Sequence, residues 1–509
     1  MAVEIELKLR VAPGQARRLS GHSALADVAP QRYSLFNTYY DTPDFALRKR
    51  RIALRLRRKG RATWLMTVKA EDAGAGGLAR RLEWEVPTQP GVFDFSIVTD
   101  EALRDFLIEQ LPHLRPAFST DFTRTAWTLH RGDSRIELAL DRGKIAAPGA
   151  TEEAAAVSEA ICEVELELLE GPSSDALFDL AIELARDLHL HPLAISKAER
   201  GYNLADASLL RPAKRFSSPV AGEMSPVDAF RAIALCCLRQ LQRNEAGAVH
   251  GGDPEYVHQA RVAIRRLRSA FRLFAPVLGP DFIAVYSPRW QDVAKALGDA
   301  RDWDVFLNET LPPLEEAFPG HAGLAQLRRH AEVAQGRAQA TARAALTGEE
   351  YSRLLLAFGA ALFRVEPPTI EADNKAVRRN LRKFARRRLQ KRATAVEKLM
   401  NGNVKLDAEH RHLLRIAFKK LRYAIEFFAP LLPRKSLAAY QASLTTIQDL
   451  LGELNDQATA LRLINDAGHD GPADSLACGW IAGRSQLLIA ELDVELAKVK
   501  VKKRPWRKN

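Results

Sequence analysis

Between Val3 and Lys8 the chain alternates apolar and charged side chains, which is the pattern of a half-buried β-strand. Successive side chains of a strand point to opposite faces, so Glu4, Glu6 and Lys8 share one face. Same-face neighbours stand roughly 7 Å apart, and two carboxylates at that spacing repel unless a cation lies between them. A divalent ion would remove the repulsion, and a solvated edge strand would instead leave the charges in water. Both interpretations are open on this segment alone.

The same alternation recurs along the N-terminal part of the chain, with both signs of charge on the polar faces. Charged residues that fall in phase on further strand-like segments are Arg55, Arg57, Lys69, Glu83, Glu85, Arg124, Glu137, Asp141, Glu163, Glu165 and Glu167. A sheet with one wet face has no need for such clusters in strand after strand. A closed barrel needs them if it encloses an anion together with metal ions. The pattern therefore predicts a barrel with a polar tunnel.

Glu4-Ile-Glu6-Leu-Lys8 resembles the ExExK signature of CYTH proteins, the triphosphate tunnel metalloenzymes. Four further stretches are similar to that family in order and spacing: 39–43, 118–124, 163–167 and 196–202. The resemblance covers about residues 1–205 and is closest to the bacterial inorganic triphosphatases. It implies an antiparallel β-barrel that hydrolyses inorganic triphosphate to pyrophosphate and phosphate.

The resemblance also implies roles for the charged residues of the tunnel. The basic residues expected to bind phosphoryl oxygens are Lys8, Arg55, Arg57, Lys69, Arg124 and Lys197. The acidic residues expected to hold divalent ions are Glu4, Glu6, Asp141, Glu163, Glu165 and Glu167. Glu4, Glu6 and Lys8 are the expected catalytic residues, with Lys8 either positioning the attacking water or binding an oxygen. Mg²⁺ is the expected ion, and Mn²⁺ also suits oxygen ligands. Glu83, Glu85 and Glu137 are expected to orient the basic residues.

Charge and length divide the chain into two unlike parts. A chain of 509 residues should contain at least two domains. Residues 1–210 carry 27 Lys and Arg against 31 Asp and Glu, whereas the remainder carries 48 against 32. The basic second part suggests a polyanionic partner. The four cysteines form no disulfide framework, and neither a leader nor a run of about 18 apolar residues is present, so a cytoplasmic location is expected.

After Pro226 the period changes from two to 3.6, and an internal repeat appears. Residues 258–276 match residues 412–430 at a constant offset of 154, which persists into 297–302 and 451–456. The predicted domains are 1–205, a linker 206–224, and a helical domain 225–505 with repeat halves at about 228–345 and 375–495. The basic tail 498–508 is expected to be unstructured.

Each copy of the repeat carries a basic stripe on one face of a helix. The residues of the first copy are His258, Arg261, Arg265, Arg266, Arg268 and Arg272, and those of the second are His412, Arg415, Lys419, Lys420, Arg422 and Tyr423. A solvated basic face is the ordinary explanation for such a stripe. Almost no acids stand at i,i+4, however, so each stripe repels itself unless a shared polyanion spans both.

These paired motifs resemble the CHAD domain, a conserved-histidine α-helical module, over about residues 225–505. The resemblance implies a bundle of long helices that binds inorganic polyphosphate, with one departure, since Asn455 stands where the first copy has Arg301. The expected fold class is therefore multidomain α+β. An N-terminal antiparallel β-barrel, the triphosphate tunnel, is followed by an all-α helical-bundle domain with an internal pseudo-twofold repeat.

Other functions remain open on the sequence. The chain could be a non-catalytic scaffold on polyphosphate granules, or a tunnel enzyme that acts on an organic triphosphate such as ATP or thiamine triphosphate. A basic half of +16 would also attract nucleic acid, but no groove-reading module or stacking platform is visible. The expected partners are inorganic triphosphate and inorganic polyphosphate, with no specific nucleic acid and no membrane.

Overall fold

The computed structural model describes residues 2–71, 75–149, 155–214, 216–365, 380–400, 407–466, 472–498 and 504–506. Its contacts divide the chain into two compact units. The barrel unit comprises Met1–Pro212 and Gly348–Arg364, and the helical unit comprises Ala213–Thr347 and Val365–Asn509. Position 375, where the second repeat half is predicted to begin, lies outside the described residues.

In the ranges described above, nine antiparallel strands build the barrel unit. They are β1 (Ala2–Val11), β2 (Gln31–Asp41), β3 (Ile52–Lys59), β4 (Thr63–Glu71), β5 (Leu78–Thr88), β6 (Arg115–Arg131), β7 (Ser134–Ala147), β8 (Val157–Glu170) and β9 (Leu190–Pro192). The strand order is β5-β4-β3-β2-β6-β7-β8-β1-β9, and a further pairing of β5 with β1 closes eight strands into a barrel. The predicted barrel is therefore confirmed.

The helices follow in chain order and are labelled α1 to α15. They are α1 (Pro13–Leu19), α2 (Ala46–Lys49), α3 (Glu101–Gln110), α4 (Asp175–Leu184), α5 (Lys197–Ala205), α6 (Pro226–His250), α7 (Glu255–Phe274), α8 (Pro280–Val305), α9 (Leu311–Ala317), α10 (Ala322–Thr347), α11 (Glu349–Arg364), α12 (Leu381–Met400), α13 (Ala408–Phe428), α14 (Arg434–Asp466) and α15 (Pro472–Lys498). A π-helical turn, Phe306–Thr310, joins α8 to α9.

The barrel turns its apolar side chains outward and its charged ones inward. Leu7, Leu138 and Leu166 lie on outer faces and pack with Phe178 of α4 in one buried cluster. A second outer cluster joins strands β3 to β5 to α3. Because these outer faces are covered by helices, burial of apolar area drives the charged faces into the interior.

A helix from far along the chain completes the barrel unit. Ser352 of α11 lies between two histidines of the β9 region, 2.9 Å from Nε2 of His189 and 3.0 Å from Nδ1 of His191. Arg364 at the end of α11 donates to Asp179 of α4 at 2.8 Å. A segment within the range predicted for the helical domain thus packs on the barrel.

The sequence repeat corresponds to a structural repeat in the helical unit. Helix α7, the 3₁₀ turn Ala275–Val277 and α8 are followed, 154 residues later, by α13, the turn Ala429–Leu431 and α14. The copies differ after that point, because α14 runs unbroken to Asp466 whereas α8 gives way to the π-helical turn. The predicted helical second part is confirmed.

The expectation of an unstructured tail is wrong for residues 504–506. The Trp506 ring packs 5.1 Å from that of Tyr440, and Arg504 donates to Glu397. Burial of the indole offsets the loss of chain freedom here. Within the described ranges, no helix combines the length and the apolar character that a membrane crossing requires.

Candidate functional site

A cavity of about 700 Å³ runs inside the barrel, and all eight closed strands contribute side chains to its wall. The predicted site residues that line it are Glu4, Glu6, Lys8, Arg55, Arg57, Lys69, Arg124, Glu165, Glu167 and Lys197. Antiparallel pairing sets their mutual positions, since Lys8 stands opposite Glu165 and Glu6 opposite Glu167. The charged residues that the alternating pattern places on one face of each strand therefore line one interior space.

Three predicted metal ligands form a tight group, of which Glu165 lines the cavity whereas Asp141 and Glu163 are not among its lining residues. Carboxylate oxygens of Asp141, Glu163 and Glu165 lie within 4.8 Å of one another, and Asp141 and Glu163 are buried. The Lys197 ammonium contacts all three, at 2.7 Å from Asp141 and 2.8 Å from Glu165. Such an all-oxygen group suits a hard divalent cation.

The charges around this group favour the ionised forms of Glu165 and Lys197. Burial alone would raise the pKa of Glu165, but Lys197 and Arg124 outweigh it and hold that pKa well below the ordinary value. Burial likewise opposes the charge on Lys197, yet Asp141, Glu163 and Glu165 raise its pKa. The lysine ammonium thus supplies positive charge among the acids.

Glu4 and Glu6 lie in a second group, among cations. Lys69 Nζ donates to Glu4 at 2.8 Å, and Arg81 Nε donates to the same carboxylate at 2.9 Å. Glu6 contacts Lys8 at 2.9 Å and also contacts Arg81. Burial would raise the pKa of Glu4, but Lys69 and Arg81 hold it far below its usual range.

Arg81 is a lining residue that sequence reasoning missed. It stands directly opposite Glu4 in the β1–β5 pairing and is buried. Its phase along β5, two and four residues before Glu83 and Glu85, is the signal that could have identified it.

Glu167 completes the acidic wall, and the Lys69 ammonium is the cation that acts on its carboxyl group. Burial, with the negative charges of Glu4, Glu137 and Glu83, outweighs Lys69 and raises the pKa of Glu167 to about 7. A cation bound within the tunnel would stabilise the charged form of this carboxyl group and lower its pKa.

The predicted orienting acids lie beside the arginines of the tunnel. Glu83 is 3.8 Å from Arg55, and Glu137 is 3.6 Å from Arg124. Arg57 Nε donates a hydrogen bond of 2.8 Å to Asn37 Oδ1, and the Arg57 guanidinium lies 3.9 Å from Glu85. Burial, with the charges of Arg55 and Arg124, lowers the pKa of Arg57 to about 10. The positive charges of Arg55 and Arg124 thus act on Arg57 within the tunnel.

The helical unit contains a second cavity, of about 270 Å³, where the two repeat copies meet. Five pairs of lining residues are related by the 154-residue offset: Arg261 with Arg415, Arg265 with Lys419, Asp302 with Asp456, Val305 with Thr459, and Phe306 with Ala460. Asn455 and Thr310 line it without their repeat counterparts. Two residues of each predicted basic stripe thus face a common space.

The cations of this cavity repel one another strongly. Burial, with the neighbouring charges of Arg415, Arg265 and Arg261, lowers the pKa of Lys419 to about 7. Burial also lowers the pKa of Arg415. An anion that entered the cavity would relieve this repulsion.

Not every predicted stripe residue reaches the cavity. The stripe residues that do not line it are His258, Arg266, Arg268, Arg272, His412, Lys420, Arg422 and Tyr423. Arg266 is buried and ion-paired with Glu426 at 2.7 Å, so its charge is used inside the bundle. Tyr423 is also buried, and its hydroxyl accepts from Arg265 Nε at 2.5 Å. Arg268 donates instead to Gln291 at 3.0 Å.

Family comparisons agree with this division. The CYTH domain model matches residues 2–202, and the CHAD domain model matches residues 232–465. An inorganic triphosphatase of Haemophilus influenzae is 36% identical over 214 residues. That match covers 41% of this chain and spans 57% of the relative's length.

Solved structures with similarity to the chain include two from plants. The CHAD domain of Ricinus communis is 29% identical, covering 58% of this chain and 99% of its own, with a TM-score of 0.49. A putative adenylyl cyclase from Hippeastrum, described as having a dominant triphosphatase activity, is 17% identical with a TM-score of 0.29. It covers 40% of this chain and 96% of its own length. On the family matches, the chain belongs to the proteins that carry a CYTH domain followed by a CHAD domain.

Proposed function

We propose that the barrel hydrolyses inorganic triphosphate to pyrophosphate and phosphate with a divalent metal ion, and that the helical domain binds inorganic polyphosphate. The observation that carries the first part is the cavity inside the barrel, to which each of the eight closed strands except β2 brings at least one charged side chain, so that acids and bases line the same space. A space lined only by cations would suit an anion alone. The mixed lining suits an anion and a cation together.

The basic residues would bind the substrate along its length. A linear triphosphate carries several negative charges on three linked groups, so it needs donors spread along the cavity. Arg55, Arg57 and Arg124 would engage pairs of oxygens with their planar guanidinium groups. Lys69 and Lys197 would add point charges.

The acids of the tunnel fit a divalent cation by the chemistry of their donors. Asp141, Glu163 and Glu165 offer hard oxygen atoms within 4.8 Å of one another, and Glu4, Glu6 and Glu167 complete the proposed set. Mg²⁺ is the proposed ion, with Mn²⁺ as a substitute. A bound divalent cation supplies charge neutralisation and water activation for phosphoryl transfer.

Lys8 is the proposed catalytic lysine, together with Glu4 and Glu6. Its ammonium lies 2.9 Å from Glu6 and lines the same cavity as the arginines. From there it would hold a phosphoryl oxygen or the attacking water as negative charge builds up. The proposed hydrolysis is tested by measuring the release of phosphate from tripolyphosphate, which is expected to depend on Mg²⁺ and on Glu165.

The helical domain would bind polyphosphate through the cavity between the repeat copies. Arg261, Arg265, Arg415 and Lys419 bring four basic side chains to one space of about 270 Å³. Polyphosphate relieves their mutual repulsion and satisfies guanidinium donors. Such binding would place the protein at polyphosphate granules in the cytoplasm.

Replacing Arg261 and Arg415 together by Glu is expected to weaken polyphosphate binding by at least about a hundredfold, because two attractive contacts become repulsive. Calorimetric titration of the full chain with long-chain polyphosphate measures this loss. Arg329 and Arg337 of α10 are exposed, and the pair R329E/R337E changes the net charge equally. Equal weakening in both double variants would contradict a localised site.

A further inference from the structure

The cavity of the helical unit places two acids among its cations. Asp302 and Asp456 occupy equivalent positions of the repeat and line the space together with Arg261, Arg415 and Lys419. A carboxylate in an anion site repels the anion, so each needs a role that outweighs this cost. The surroundings of the two differ, which separates their roles.

Asp302 is engaged by two arginines. Its carboxylate lies 3.3 Å from Nη1 of Arg261 and 3.2 Å from Nη2 of Arg462. These contacts fix the direction of the Arg261 guanidinium and neutralise the acid. Asp302 is therefore a positioning residue for a cation of the cavity.

Asp456 keeps Arg415 as the counterpart of Arg261, but it has no arginine in the place that corresponds to Arg462. The repeat counterpart of Arg462 is Asn308, and in the part of the chain that the structure describes Asp456 forms no salt bridge. It accepts one hydrogen bond of 3.3 Å from the amide of Asn455. Asn455 itself replaces an arginine of the first copy, Arg301, which pairs with Glu309 at 2.8 Å. Repeat divergence has thus left one carboxylate of the cavity without a cation dedicated to it.

The charge of Asp456 acts on the whole cavity. Burial lowers the pKa of Arg261, Arg415 and Lys419, and the nearby charge of Asp456 opposes that lowering in all three. An incoming anion must compete with this carboxylate for the same three cations. The repulsion by Asp456 is similar for any phosphate group. The attraction to the cavity grows with the number of cations that the ligand contacts.

We propose that Asp456 sets a charge threshold for the cavity, excluding small anions such as orthophosphate and admitting chains whose adjacent phosphates engage several cations at once. The inference rests on the proposed binding of polyphosphate by the helical domain. It adds a determinant of ligand selectivity, and it assigns opposite effects to two aspartates that the repeat makes equivalent.

Titration calorimetry of the full chain in EDTA, with orthophosphate, pyrophosphate and long-chain polyphosphate, tests this proposal. Binding to the cavity is defined as the component that R261E/R415E removes. Asp456→Asn is expected to strengthen orthophosphate and pyrophosphate binding about tenfold, but polyphosphate binding only about twofold. Asp302→Asn is expected to weaken all three ligands by a similar factor. Asp456→Glu keeps the charge and is expected to keep the selectivity.

Three results would overturn the proposal. Asp456→Asn could leave the ratio of the affinities unchanged, or weaken every ligand as Asp302→Asn does, which would make Asp456 a positioning residue. Mg²⁺ could strengthen binding to the wild type but not to Asp456→Asn, which would make Asp456 a cation ligand. If the helical domain does not bind polyphosphate in this cavity, the wild type will show no binding component that R261E/R415E removes. This result is distinct from the three above.

Discussion

Single residues handle charge differently in the two cavities. In the tunnel, carboxylates such as Glu4 and Glu165 lie within hydrogen-bonding distance of a lysine. In the helical cavity Arg415 and Lys419 face Arg261 and Arg265, and the acids among the described lining residues are Asp302 and Asp456. This difference agrees with the proposed functions, in which the tunnel would hold an anion with a cation and the helical cavity an anion alone.

Lys419 allows a prediction about pH. Its pKa is lowered to about 7 in the folded state from 10.5, so the unfolded chain binds more protons between these values. The resulting destabilisation of the folded state is fully present below pH 7, and it disappears as the pH rises towards 10.5. Lys419→Met keeps most of the packing and removes the penalty.

The variant is therefore expected to exceed the wild type by about 2 kcal/mol in unfolding free energy at pH 6.5, allowing for partial exposure of the ammonium. The difference should shrink towards pH 10. Denaturant titration of both proteins across this range measures it. A difference that stays constant with pH would contradict the lowered pKa.

At the scale of elements, the close approach of β6 and β7 depends on one glycine. A Cβ built on Gly143 would lie 2.1 Å from the carbonyl oxygen of Asp121 and 2.5 Å from Cα of Phe122. Backbone atoms cannot yield as a side-chain end can, so Gly143→Ala must separate the strands. The expected cost is about 1–3 kcal/mol in unfolding free energy, measured by denaturant titration.

Gly14 of α1 provides the matched control. A Cβ there meets nothing within 4 Å, and alanine favours the helix. Gly14→Ala is expected to leave stability unchanged or to raise it by up to about 1 kcal/mol. Equal effects of the two substitutions would show that strand separation is not the cause.

Elements also show where prediction from sequence stops. Alternation fixes which residues share a face of a strand, so the inward set from Glu4 to Glu167 could be named. It does not fix register, and the position of Arg81 opposite Glu4 depends on how β1 closes the barrel onto β5. On α7, angular position alone could not tell that Arg266 is buried against Glu426, because that depends on which helix packs there.

For the whole molecule, the constant offset of 154 residues had the greatest predictive value. It anticipated two equivalent hairpins, and the structure pairs the lining of the helical cavity at the same offset. The place of α11 had no local signal. Ser352 meets His189 and His191 only because the chain returns to the barrel between the two repeat copies.

Release of phosphate from tripolyphosphate by the full chain tests the proposed tunnel chemistry most directly. Wild type with Mg²⁺ is expected to turn over and wild type with EDTA is not. Glu165→Gln should lose at least about a hundredfold in rate, because it removes a cation ligand and the partner of Lys197. Glu170→Gln, an exposed change on the same strand beside Arg135, should stay within about twofold of the wild type. Turnover by Glu165→Gln at the wild-type rate, or by the wild type in EDTA, would contradict a metal-dependent reaction inside the barrel.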